Sequence, residues 1–328
     1  MPACSGRQAL ASSLSCVCRC AHHALPSTLL PTMLGPLSPH LSPSPSPLTP
    51  HPHPHLTHHP HRPVAPSCHC TCCAQAAGFN ATLVNDVAVG VEAVGGAIQV
   101  SLNGTAEPLH TRALIVALGA QSRWLGVPGE YEHRGGGVSS CATCDGFLYR
   151  GKQVAVVGGG DSAAEDALVL ARTSAHVTLL HRGGKLRASH TLAQRVLQHP
   201  LISVRFDSTV LRFGGDAADG RLTHVLVRTA SQGGGGETSW KLPLDAAFIA
   251  IGHTPNTALL QGTVRLTSDG YIDMSESGRS SRTSVPTIFA AGDVADPSYR
   301  QAITSAGSGA MAALDAERWL SEAGIVAA

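Results

Sequence analysis

Residues 153–164 fix the kind of fold open to this chain. A short apolar run, Gln153 to Val157, passes into Gly158-Gly159-Gly160-Asp161-Ser162-Ala163-Ala164 and then into a helical pattern through Ala171. Strand, tight turn and helix with G-x-G-x-x-A spacing describe the dinucleotide-binding unit of a doubly wound α/β sheet. Gly158 makes the turn, Gly160 lets the backbone approach a pyrophosphate, and Ala163 permits close contact of helix and strand. The anion would sit on the helix N-terminus, where free N–H groups and the dipole favour negative charge. Asp161 and Ser162 open that first turn. Other apolar runs offer parallel neighbours. Residues 112–119 run unbroken into Gly119 and fit a buried strand whose end approaches a ligand, or else a buried helical segment.

The next strand, residues 176–180, ends where an NAD site would place an acid for the ribose hydroxyls. Here the chain reads His181-Arg182-Gly183-Gly184-Lys185-Leu186-Arg187 instead. Arg182 and Arg187 can pair with a 2′-phosphate by charge-assisted hydrogen bonds, which points to NADPH over NADH; a solvated basic loop is the alternative.

Upstream stands Cys141-Ala142-Thr143-Cys144-Asp145-Gly146, holding the only two cysteines after residue 74. Disulfide exchange proceeds by thiolate attack through a mixed disulfide, so two thiols beside a proton donor are the minimum machinery. A dithiol close to a dinucleotide turn suggests electrons moving between a nicotinamide and a disulfide. Half a zinc site is the competing reading, and the folded region has no second cysteine pair to complete it. Near the C-terminus, residues 286–294 form another apolar run ending in Gly292-Asp293, whose carboxylate can accept a hydroxyl from a cofactor sugar or serve as a turn residue. Arg300-Gln301-Ala302 then open a helix over 302–320, whose N-terminus would stabilise charge on a reduced flavin.

The other segments read as ordinary scaffold. Strands are expected at 82–91, 97–102, 203–207 and 209–213, a helix at 191–198, and a hairpin of 222–229 with 238–242. Residues 121–129 and 253–256 look like crossover linkers between two domains. A length of 328 residues suits two domains. The net charge of +1 argues against a nucleic-acid partner, and no apolar run approaches the roughly 18 residues that span a bilayer.

Composition breaks sharply before residue 74, a stretch holding 14 of 21 prolines, 10 of 18 histidines and 8 of 10 cysteines but no acid. Proline at that density blocks helix and sheet, so residues 1–73 are expected to be an irregular leader. Residues 1–30 have the Arg-bearing, acid-free make-up of a transit peptide, which would send the chain to a plastid or mitochondrion; otherwise the cytoplasm is expected. The cluster Cys68-His69-Cys70-Thr71-Cys72-Cys73 has no usual zinc spacing, and no metal is assigned.

Taken together, Cys-Ala-Thr-Cys-Asp-Gly at 141–146, Val-Gly-Gly-Gly-Asp-Ser-Ala at 157–163, His-Arg…Leu-Arg-Ala-Ser at 181–189, Ile-Gly-His-Thr-Pro-Asn at 251–256 and Phe-Ala-Ala-Gly-Asp-Val…Tyr-Arg-Gln-Ala-Ile-Thr at 289–304 resemble the low-molecular-weight NADPH-dependent thioredoxin reductases. The resemblance runs from about residue 75 to the end. It implies a homodimer with two Rossmann-like domains, in which an NADPH domain (122–247) is inserted into a split FAD domain (74–121 and 248–328) and rotates against it. It implies that Cys144 faces the flavin, Cys141 attacks thioredoxin, and Asp145 handles the thiol protons. By the same resemblance Gly292, Asp293, Arg300, Gln301 and Ala302 touch FAD, joined by Gly119 at the end of its strand. Departures are Gly183, where arginine usually repeats, and Leu118 in place of a threonine. Residues 1–73 hold only Gly6 and Gly35 and none of the family's first G-x-G-x-x-G unit. The expected activity is therefore NADPH-driven reduction of thioredoxin through FAD and the Cys141/Cys144 pair, the alternative being an NADPH-binding remnant unable to hold FAD.

Overall fold

The computed structural model describes residues 14–18, 71–215, 220–230, 236–276, 278 and 280–325. Among the described residues, an outer unit opens with strand β1 (Leu14–Cys18), helix α1 (Thr71–Gly78), and strands β2 (Ala88–Val94), β3 (Ala97–Leu102), β4 (Leu109–Thr111), β5 (Ala113–Ala117) and β6 (Ala120–Ser122). Strands β2, β3 and β4 form an antiparallel meander. Gly95 and Gly96, both at positive φ (58° and 81°), make the two-residue turn between β2 and β3 that matches strand twist. The strand expected at 82–91 starts only at Ala88. Asp86 accepts hydrogen bonds from the N–H groups of Val87 and Gly104, so the chain is still turning there.

An inserted unit follows: β7 (Val138–Ser139), α2 (Ala142–Asp145), β8 (Gln153–Gly158), α3 (Asp161–Leu170), β9 (His176–Leu180), α4 (His190–Leu197), β10 (Ile202–Arg205), β11 (Ser208–Gly215), β12 (Leu222–Ala230), β13 (Glu237–Pro243) and β14 (Ala246–Ala250). Its main sheet runs β10-β9-β8-β14-β7, with every pairing parallel. The alternation along β8 explains its unbroken apolar sequence. Val154 and Val156 pack with Ala163, Ala167 and Leu170 of α3 on one face, while Ala155 and Val157 pack with Phe213, Val225 and Val227 of the β11–β13 meander on the other. A parallel strand covered on both sides has no polar face to show. Each valine buried this way contributes about 1.5–3 kcal/mol.

The chain then returns to the outer unit through β15 (His253–Pro255), β16 (Ile288–Ala290) and helix α5 (Ala302–Glu322). Parallel pairs β5–β16 and β5–β1 build its small sheet. Leu114 and Val116 of β5 face a core with Ile98 and Ile288, whereas Ala113 and Ile115 face Ala312, Ala316 and Leu320 on α5. Two Rossmann-like units, one inserted into the other, are the architecture.

The two crossovers pair with each other. Strands β6 and β15 form an antiparallel ribbon, tightened by Arg123 N–H to the Gly252 carbonyl (2.9 Å) and by Arg123 Nε to Thr254 Oγ1 (3.0 Å). Just beyond, buried Glu130 accepts the N–H groups of Leu125 and Gly126 (2.9 and 2.8 Å), and Arg134 lies 3.7 Å over the Trp124 ring.

The leader expected to be irregular throughout holds one strand within the described residues. Leu14–Cys18 pairs from Leu14↔Ala113 to Cys18↔Ala117, supplying partners to the backbone groups of β5 on the side away from β16. Helix α1 likewise begins at Thr71, ahead of the expected boundary. Residues 1–13 and 19–70, with Cys68 and Cys70 of the cysteine cluster, lie outside the described residues. Among the described residues no three His, Cys, Asp or Glu side chains gather as metal ligands, and no helix is long and apolar enough to cross a membrane.

Candidate active site

The dinucleotide turn forms where the sequence places it. Gly158 closes β8 and Gly160 caps α3 with no side-chain capping bond, so the first N–H groups of the helix are left open to a ligand. A Cβ on Gly158 would stand 2.3 Å from the Ala250 carbonyl oxygen and 2.7 Å from Ala163 Cβ, which shows how closely strand and helix meet. Around Gly160 there is nothing within 4 Å of such a Cβ, leaving room for a pyrophosphate. The turn lies at the carboxyl end of β8, between its parallel neighbours β9 and β14, the usual crevice of such sheets.

The basic loop is tied to this turn. The N–H groups of Arg187 and Ala188 both donate to the Gly159 carbonyl (2.6 and 3.0 Å), and Ser189 N–H donates to Asp161 Oδ1 (2.6 Å). Buried His181 lies beneath, its Nδ1 3.1 Å from the Gly158 carbonyl. Arg182 and Arg187 are exposed beside the turn, as is Ser162. Asp161 therefore serves the loop with one oxygen. The Gly183 carbonyl accepts the Asp207 N–H (3.2 Å), so this position also anchors the loop to the next strand pair.

Cys141 and Cys144 are joined as a disulfide at the start of α2. Cys141 caps this helix, its Sγ accepting the Cys144 N–H at 3.1 Å. Cys144 is exposed and Cys141 half-buried. Asp145 donates its N–H to the Cys141 carbonyl (3.1 Å), and its Oδ2 accepts the Ser139 hydroxyl at 2.6 Å. Burial, reinforced by the charges of Asp145 and Asp245, raises the Tyr149 phenol above its ordinary value. Phe147 and Leu148, directly after the pair, are 65% and 61% exposed.

Ser140 ties this region to the crossover ribbon, its Oγ 2.9 Å from Ser122 Oγ. Ser122, Ser139 and Ser140 are absent from the sequence candidates, because a serine on a strand gives no periodic or motif signal.

On the outer unit, β5 and β16 are neighbours, so Gly119 and Gly292 stand at the carboxyl ends of adjacent parallel strands, both at positive φ (69° and 74°). Gly119 faces open space. Asp293 Oδ1 accepts the Ser305 hydroxyl (3.0 Å), and Gly292 N–H donates to Ser308 Oγ (2.9 Å). Gln301 caps α5 through a reciprocal box with Thr304, and Ala302 starts the helix. Arg300 stands at φ 51°, held there by its N–H to Asp296 Oδ2. Burial raises the Asp296 carboxyl, but the N–H groups of Tyr299, Arg300 and Ser298 and the charge of Arg300 outweigh it, so it lies below the ordinary range. Half-buried His253 is lowered by burial and by Arg300, against the opposing pull of Asp293.

The chain matches the pyridine nucleotide-disulphide oxidoreductase family over residues 50–309. A thioredoxin reductase of Neurospora crassa is 42% identical over 252 residues, covering 76% of this chain and 73% of its own length. One from Mycolicibacterium smegmatis is 45% identical over 216 residues, covering 66% of this chain and 67% of its own. The solved structure of thioredoxin reductase from Giardia duodenalis superposes with a TM-score of 0.69 at 36% identity, over 76% of this chain and 78% of that one. With a disulfide in C-x-x-C spacing and a dinucleotide turn in one inserted unit, this chain belongs to the pyridine nucleotide-disulphide oxidoreductases, in the group that contains the thioredoxin reductases.

Proposed function

We propose that this chain is a thioredoxin-disulfide reductase that passes electrons from NADPH through FAD and the Cys141/Cys144 pair to oxidised thioredoxin. The observation that carries the reading is the Cys141–Cys144 disulfide, with the Asp145 carboxylate fixed beside it, in the same unit as the open turn at Gly158–Gly160. When bound, NADPH would supply a hydride and FAD would supply the two-electron chemistry that links it to the disulfide. Arg182 and Arg187 hold the 2′-phosphate, and the α3 N-terminus holds the pyrophosphate. The paired strand ends at Gly119 and Gly292 and the opening turn of α5, with Asp293, Arg300, Gln301 and Ala302, would hold the flavin on the outer unit. Once the pair is reduced, Cys141 attacks the disulfide of thioredoxin and Cys144 releases the product by closing the internal bond. Exposed Phe147 and Leu148 offer the protein substrate an apolar landing beside the sulfurs. The working form is a homodimer, as the resemblance implies.

The test is turnover by the purified chain supplied with FAD, NADPH and oxidised thioredoxin. A flavin absorption band close to one FAD per chain, with NADPH oxidation abolished in Cys144→Ser, is the expected result. A chain that binds NADPH but stays colourless after FAD is added is the non-catalytic remnant instead.

A further inference from the structure

Ser139 joins the two ends of the redox segment. Its hydroxyl donates to Asp145 Oδ2 at 2.6 Å and at the same time accepts the Cys141 N–H at 3.1 Å. Asp145 N–H returns to the Cys141 carbonyl at 3.1 Å, which closes a ring of three residues. Ser139 is itself fixed by the main sheet: it lies on β7 opposite Phe248 of β14, a fully buried residue against whose ring Tyr149 packs edge-on at 6.0 Å. A hydroxyl held by a rigid strand is a good support for a side chain that must move protons. A 2.6 Å bond to a carboxylate is of the strong, charge-assisted kind.

We infer that Ser139 is a positioning residue for thiol–disulfide exchange, holding the Asp145 carboxylate where it can carry protons between the attacking and the leaving sulfur. This rests on the reading of Asp145 as the acid and base of the exchange. In the step itself the Cys141 thiol gives its proton to Asp145. The thiolate then attacks the substrate disulfide, whose S–S bond breaks as the mixed disulfide forms, and the leaving thiolate takes that proton. Next the Cys144 thiol passes its proton to Asp145 and attacks the Cys141 sulfur. The internal disulfide closes, and the second leaving thiolate takes the proton. Two electrons and two protons reach the substrate, the Cys pair is oxidised, and Asp145 ends as it began.

The test uses the chemistry of the leaving group. A nitrobenzoate thiolate leaves without a proton, whereas an alkyl thiolate needs one. The aromatic reaction therefore feels a misplaced Asp145 only at deprotonation of the thiols, and the alkyl reaction feels it there and again at the leaving sulfur. Ser139→Val, Ser139→Thr, Ser139→Ala and Asp145→Asn, with the Ser139→Val/Asp145→Asn double variant, are reduced by dithiothreitol and desalted. Each is then mixed with hydroxyethyl disulfide or with dithiobis-nitrobenzoate. Quenched alkylation and mass spectrometry of the peptide carrying Cys141 and Cys144 follow closure of that one disulfide.

Expected in Ser139→Val and Ser139→Ala is a loss with the alkyl disulfide about tenfold or more greater than the loss with the aromatic one. Near-wild-type rates in Ser139→Thr, which keeps the hydroxyl on a side chain shaped like valine, and a double variant no slower than Asp145→Asn complete the pattern. Equal losses with both disulfides, or a threonine variant as slow as the valine one, would show that Ser139 only shapes the strand. That would overturn the inference. A slow Asp145→Asn beside unaffected Ser139 variants sinks the role of Ser139 alone. An unaffected Asp145→Asn instead sinks the reading of Asp145 on which it rests.

Discussion

Asp166 shows how much a single residue can hide from the sequence. It lies on α3 between Glu165 and buried Ala167, an unremarked acid on a helix face. In the fold, burial pushes its carboxyl up to about 7, with Glu165 adding to the rise and Arg300 opposing it. The folded value lies above the ordinary 3.8, so the folded chain holds this proton more tightly than the unfolded one. Stability from this group is complete at acidic pH and falls as pH rises from about 4 towards 7. At about 1.36 kcal/mol per unit the full effect would be about 4 kcal/mol, which partial exposure and relaxation reduce to about 1–2 kcal/mol. Asp166→Asn is therefore expected to melt with the wild type near pH 4 and some degrees above it at pH 8, measured by thermal denaturation across pH. A constant gap at all pH values would contradict the assignment. By contrast, Gly158, Gly160, Ala163, Cys141 and Cys144 are legible in the sequence, because turn geometry and sulfur chemistry admit few residue types there. Ser139 and Asp166 are not, because their roles come from neighbours distant in sequence or from burial.

Helix α5 was readable as an element, since small and apolar residues run from Ala302 almost to its end at Glu322. What pins it was not. Asp315 accepts the Ser281 N–H at 2.8 Å and the hydroxyls of Ser281 and Ser280 at 2.8 and 3.0 Å, tying the helix to the segment that leads into β16. Burial raises this carboxyl, but those bonds and nearby Arg318 outweigh it and hold it below the ordinary range. The sign is opposite to that of Asp166. Its contribution is present at neutral pH and is lost as pH falls through the lowered folded value. Asp315→Ala should cost about 1–3 kcal/mol at pH 7 by leaving the Ser281 N–H and two hydroxyls without an acceptor, and less at acidic pH. Denaturant unfolding at two pH values checks both statements. The three-residue strands β6 and β15 mark the limit of pattern reading. Residues 121–129 and 253–256 carry linker chemistry, and only their pairing across the fold makes strands of 120–122 and 253–255.

At the scale of the whole molecule, the two halves of the proposed chemistry lie on different units. The dinucleotide turn, the basic loop and the disulfide all sit between β7 and β14, whereas the glycine-ended strands β5 and β16 and the start of α5 belong to the outer unit. The units meet through the β6–β15 ribbon, through Ser122 and Ser140, and where Arg300 of the outer unit acts on Asp166 of α3, a limited junction for two separate cores. Binding on one unit should therefore quench local openings there and leave the other nearly untouched. Hydrogen–deuterium exchange resolves this directly. NADPH alone is expected to protect amides at 158–164 and 187–189 at least about fivefold, with less than about twofold change across β2 to β4. FAD should do the reverse, slowing exchange at 116–119, 291–294 and 302–306. The open backbone N–H groups at the start of α3 make the first result the more demanding, because those amides have no intrahelical partner and exchange fast until an anion covers them. Protection by NADPH spread evenly over both units would mean that they behave as one body. Electron transfer between sites on opposite sides of the ribbon would then need an explanation other than relative motion of the two units.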